Sequence, residues 1–122
     1  MDVTKYKNKI EAIIAKDYSH ELPDKPRSAE FNRVIKSMLK AMFPDCTILQ
    51  TKGTWCYASG FIKSERTGKC VYYCFDDYRY CVWNHSILIR SAKDETDYTG
   101  GANRYTSLED MRRMVYGLLG ME

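Results

Sequence analysis

Phe31, Val34, Ile35, Met38, Leu39, Met42 and Phe43 recur at i, i+3, i+4, i+7, i+8, i+11 and i+12, which is the period of an α-helix carried through without a miss. A helix over 29–43 bearing that stripe has a face that must leave water, so the rest of the chain has to supply a surface that covers it. Ser28 is placed to cap its first turn, and Pro44 ends it. Arg33, Lys36 and Lys40 fall together on the opposite side.

The covering surface follows directly. From Cys46 the rhythm changes to segments rich in β-branched and aromatic residues, broken at Gly53, at SERTG (64–68) and at DDYR (76–79). Strands are expected near 46–52, 54–63, 69–75 and 80–84, with a shorter one over Ile87–Arg90, joined as an antiparallel meander. In the second strand Trp55, Tyr57, Ser59 and Phe61 share one face while Cys56, Ala58, Gly60 and Ile62 share the other. In the third, Val71, Tyr73 and Phe75 oppose Cys70, Tyr72 and Cys74. Both faces therefore carry apolar or aromatic surface. Either helices cover both, or one aromatic face is a binding surface.

Helices are expected at both ends of the chain. Over 3–16, Tyr6, Ile10, Ile13 and Ile14 keep helical spacing against a lysine-rich outer face. The connector DYSHELPDKPRS breaks that pattern with Pro23 and Pro26. The last helix is expected over 107–119, with Thr106 and Glu109 as a capping box. Leu108, Met111, Val115, Leu118 and Leu119 form its buried stripe, with Glu109, Arg112, Arg113 and Tyr116 outside. At 122 residues the chain has room for one core. The fold expected is a single α+β domain: an antiparallel sheet of four to five strands, two N-terminal helices and one C-terminal helix. Residues 28–122 make the core, and 1–20 form a further cover or a mobile arm.

Charge and apolar content exclude several classes. The net charge is +3, and residues 1–43 hold nine Lys/Arg against six Asp/Glu, whereas 44–122 hold ten of each. A mimic of the phosphate backbone would be strongly acidic, and this chain is not. No run approaches the roughly 20 apolar residues of a bilayer-spanning helix, and residues 1–20 lack the apolar stretch of a secretory signal. Neither membrane insertion nor export is expected.

Five cysteines without an export signal point to reduced thiols. Cys70, Cys74, Cys81 and His85 could in principle offer zinc three thiolates and an imidazole. Strand alternation, however, spreads Cys70 and Cys74 about 13 Å apart, so core-filling thiols are expected, with no metal and no cofactor. His20 and His85 sit in no recognisable nucleophile setting, and His85 reads as a partly buried structural residue. Asp76 and Asp77 suit a tight turn. Gly100 and Gly101 supply positive φ more simply than they cradle a phosphate. No catalytic residue and no enzymatic activity are expected.

SAKDETDYTGGANRYTSLED, residues 91–110, is a polar stretch at the length limit for a connection in a compact domain. Loops on rigid scaffolds carry binding residues, and Asp94, Asp97, Tyr98, Arg104 and Tyr105 mix both charges with aromatic area, which suits a protein partner. A second reading is a small nucleic-acid-binding module that uses the basic helix faces, Arg33, Lys36, Lys40, Arg112 and Arg113, with the aromatic sheet residues Trp55, Tyr57 and Tyr72 as stacking platforms.

Residues 83–111, WNHSILIRSAKDETDYTGGANRYTSLEDM, about a quarter of the chain, look like the C-terminal part of small proteins from phages and mobile elements of gut bacteria. Some proteins of that origin are similar to anti-CRISPR inhibitors. The resemblance implies a compact domain without enzyme chemistry in the cytosol of a bacterial host, binding a Cas effector or its nucleic-acid complex. It brings no catalytic residue with it.

Overall fold

The computed structural model describes residues 2–15, 25–54, 57–76, 83, 85–97 and 101–121, with the backbone alone at 25–28 and 50–54. The elements run α1 (Thr4–Ala15), α2 (Lys25–Met42), β1 (Cys46–Thr54), β2 (Tyr57–Ser64), β3 (Cys70–Phe75), β4 (Ile87–Ala92), β5 (Arg104–Thr106) and α3 (Met111–Leu119). The strands form one antiparallel sheet in the order β1-β2-β3-β4-β5. The α+β class, the meander and the placement of helices at both ends are as the sequence predicts.

The stripe on α2 does what its period requires. Phe31, Ile35, Met38, Leu39, Met42 and Phe43 are buried and Val34 is half-buried. They pack with Ile48, Ala58, Ile62, Val71, Tyr73, Phe75, Ile87 and Ile89, one face of the sheet, and with Met111, Val115 and Leu119 of α3. The first helix packs against α2. Val3, Tyr6, Ile10 and Ile13 of the N-terminal segment are buried in this same cluster.

Strand register assigns the second face. Leu49, Phe61, Tyr72 and Arg90 stand in one cross-strand row, and Ser59, Cys74, Leu88 and Tyr105 in another. Phe61 meets Tyr72 edge-to-face at 5.4 Å, and the Arg90 guanidinium lies 4.6 Å from the Tyr72 ring centre. Tyr57 and Tyr72 therefore lie across the sheet from the cations of α2. The basic helix face and the aromatic sheet face do not form a common surface.

Several local expectations are corrected. α2 starts at Lys25 rather than 29, so Ser28 lies inside it instead of capping it. Pro26 falls in the first turn, where a missing N–H costs nothing. α3 starts at Met111 with Asp110 as N-cap, and the capping box does not form. Thr106 Oγ1 donates to Ser107 O at 2.9 Å, and Glu109 accepts from Lys7 Nζ. The strand expected over 80–84 lies outside the described residues except at Trp83, where φ 60 is incompatible with a strand. Trp83 is instead a fully buried anchor that donates from Nε1 to Asp76 O at 2.7 Å and packs 4.7 Å from Phe75. The fifth strand is β5, inside the stretch read as loop.

Candidate functional site

β5 has three residues, and it exists because each of them pairs with β4: Arg104 with Ile89, Tyr105 with Leu88 and Thr106 with Ile87. Alternation then fixes where the side chains go. Thr106 is buried beside Ile87. Arg104 stands in the row of Tyr73 and Ile89, on the helix side. Tyr105 faces the other way, beside Leu88, and at 55% it is the sole exposed large apolar side chain among the described residues.

On the helix side Arg104 meets α3. Arg104, Arg113, Met114, Gly117 and Leu118 line an open cleft of about 640 Å³. Its floor is built by helical geometry. Met111, Val115 and Leu119 are fully buried, which leaves Met114 and Leu118, four residues apart on the next row, half-exposed. Gly117 adds depth, because a Cβ there would meet no atom within 4 Å. Arg113 lies 3.7 Å from Asp110, with both side chains largely in water, so the contact leaves the guanidinium available. The site thus joins two cations to an apolar floor at one edge of the sheet.

The other residues of the expected patch are placed differently. Asp94 and Asp97 lie in a turn beyond the end of β4. Asp94 Oδ1 accepts from Thr96 N at 2.8 Å and from Thr96 Oγ1 at 2.6 Å, and Asp97 Oδ2 accepts from Lys93 N at 2.9 Å. The bonds from Thr96 hold the Asp94 carboxyl below its ordinary range. These carboxylates shape the turn. Tyr98 lies outside the described residues. Gly101 follows at φ 76, pressed so closely on Ser91 that a Cβ would stand 2.4 Å from its carbonyl oxygen. α3 begins ten residues after Gly101, so Gly101 does not form a helix-terminus cradle, and Gly100 lies outside the described residues.

Arg33, Lys36 and Lys40 are exposed on the outer face of α2. Arg112 and Arg113 diverge: Arg112 lies over the Tyr116 ring at 5.2 Å and lines a separate cleft with Asp45, Glu65, Arg66, Tyr116 and Met121. The five basic residues are therefore not one surface. Cys70 and Cys74 share a face of β3, and burial pushes the Cys70 thiol up to about 11. Cys81 lies outside the described residues. His85, expected to be partly buried, is exposed at φ 69. Asp76 is exposed at the end of β3, and Asp77 lies outside the described residues.

Sequence reasoning missed Met114, Gly117 and the half-exposure of Leu118, which it had placed in the buried stripe. A readable signal was present: a glycine in a helix interior costs about 1 kcal/mol against alanine, and a nearby Met/Leu pair at i, i+4 gives it a reason. No family model matches this chain, and no curated protein and no solved structure matches it either. Among the described residues no helix is long and apolar enough to cross a membrane.

Proposed function

We propose that this chain is a binding protein without enzyme chemistry, which inhibits a larger partner by occupying its surface through β5 and α3. The observation that carries the reading is Tyr105. A tyrosine left 55% exposed on an edge strand, next in sequence to an Arg104 that faces Arg113 across the cleft on the other side of that strand, brings together at one sheet edge the residue types that dominate interface energetics. Such a surface suits a partner that offers an acidic rim to the two arginines and an apolar knob to Met114, Gly117 and Leu118. Asp94 and Asp97 enter the proposal as residues that set the adjoining turn.

The likeness of residues 83–111 to phage and mobile-element proteins makes a Cas nuclease, alone or with its guide, the partner to test first, in the cytosol of a bacterial host. The test is a cleavage assay with a set of Cas nucleases, run beside capture of tagged protein from a host with and without nuclease treatment. Wild type should inhibit or capture. Tyr105→Ala and the double variant Arg104→Glu/Arg113→Glu should lose at least tenfold with melting temperature unchanged. Inhibition of no nuclease would sink the partner class, and capture indifferent to both variants would sink the site.

A further inference from the structure

We propose a second binding surface, separate from the β5–α3 cleft: a basic track along α2 that holds the phosphate backbone of a nucleic-acid duplex. Three open clefts join end to end on the outer side of this helix. The first is lined by Tyr6, Lys9, Glu30, Arg33, Val34 and Ser37. The second shares Arg33 and Ser37 and adds Lys36 and Lys40. The third shares Lys36 and Lys40 and reaches Thr47 at the β1 edge.

Four cations, Lys9, Arg33, Lys36 and Lys40, are exposed along that line, and Glu30 at the α1 end is the one acid lining the three clefts among the described residues. Arg33, Lys36 and Lys40 form no ion pair among the described residues. A surface stripe serving solubility or helix stability would normally alternate with acids at i±3 or i±4; here Glu30, three residues before Arg33, is the one acid so placed, and the positions three and four away from Lys36 and Lys40 hold none. At 1.5 Å per residue, Arg33 to Lys40 spans about 10 Å, the axial length of roughly three phosphates of one strand at about 3.4 Å each.

The surroundings narrow the ligand. Among the described residues Tyr6 and Phe43 are the aromatics beside the track, and both are buried, so these offer bases no exposed ring to stack on as single strands require. The apolar side of α2 is spent in the core, so the helix cannot lie in a bilayer interface with that face in the acyl region. A stacked duplex, which presents phosphates and hides its bases, matches cations without aromatics, and the contact reads no sequence.

The test is fluorescence anisotropy of the full chain with a labelled duplex of about 20 base pairs, titrated from 50 to 200 mM salt. Four phosphate contacts give a slope of about −3.6 in log K against log salt, hence about a 10²-fold loss over that range. The triple variant Arg33→Glu/Lys36→Glu/Lys40→Glu should abolish binding with its circular dichroism melt intact. Arg33→Lys should retain binding, and so should Tyr105→Ala, which touches only the other surface. Absence of binding at 50 mM, persistence of binding in the triple variant, or equal binding of a single strand or an acidic peptide would each overturn the proposal.

Discussion

Lys7 Nζ donates to Glu109 Oε2 across 2.7 Å, joining α1 to the turn that precedes α3. The hydrogen bond from Lys7 holds the Glu109 carboxyl below its ordinary value of 4.5. A carboxyl lowered by folding contributes stability above its unfolded value, and the contribution disappears as pH falls from about 4.5 through the folded value. Both side chains are partly exposed, so a double-mutant cycle with Lys7→Ala and Glu109→Ala should give a coupling of about 0.2–1 kcal/mol at pH 7. Repeated at successively lower pH below 4.5, the same cycle should give a coupling that shrinks as the carboxyl takes up its proton.

Ile10 decides whether α1 is part of the core or an appendage. Its side chain is fully buried among α2 residues. Truncation at such a site loses transfer free energy and leaves a cavity, so Ile10→Ala should cost about 2–5 kcal/mol in urea unfolding. A single transition should remain. A loss under about 0.5 kcal/mol would mean that α1 stands off in solution.

The stripe on α2 was legible because helical period is local: each residue's burial follows from neighbours three and four positions away. β5 was not, because three residues, Arg104, Tyr105 and Thr106, are too few to show an alternating pattern and become a strand by pairing with Ile87–Ile89. The α3 start failed for a similar reason, since Glu109 is engaged by a lysine 102 positions away instead of by its own turn. The cleft depends on Arg104 and Arg113 standing on different elements, a juxtaposition no local pattern encodes. What was readable was Arg104 at its rim, in an unusually long polar stretch.

Gly101 and Gly68 form a controlled pair. Both have positive φ, 76 and 74, but a Cβ at Gly68 meets nothing within 4 Å while one at Gly101 stands 2.4 Å from Ser91 O. Gly68→Ala should therefore cost only the left-handed backbone penalty, about 1–2 kcal/mol. Gly101→Ala should cost clearly more, because backbone has to move. Equal melting temperatures for the two variants would show that the close approach of Gly101 to β4 is not maintained in solution.

Cys70 should be the slow thiol. It is buried, and its thiol sits at about 11 against an ordinary 9.0. At pH 8 that leaves about 10²-fold less thiolate than an exposed cysteine has, so alkylation followed by peptide mapping should find Cys70 the last described cysteine modified. A group raised by folding adds stability below its unfolded value and loses it as pH rises, so the protein should weaken between pH 9.0 and about 11. Cys70→Ser should flatten that part of the profile.

Gly117 separates stability from binding in one position. It lies within α3 with ordinary helical φ and open space where a Cβ would go. Gly117→Ala should accordingly stabilise the protein by about 0.5–1 kcal/mol, by narrowing the unfolded ensemble and improving helix propensity. A longer side chain also fits the helix, but it occupies the cleft between Arg104 and Arg113. Gly117→Met should keep or raise the melting temperature while weakening partner capture at least tenfold. If capture is unchanged in Gly117→Met and lost in Tyr105→Ala, the partner seats on the Tyr105 side of the edge strand and leaves the cleft empty. If Gly117→Met lowers the melting temperature, α3 packs more closely against β5 than an open cleft allows.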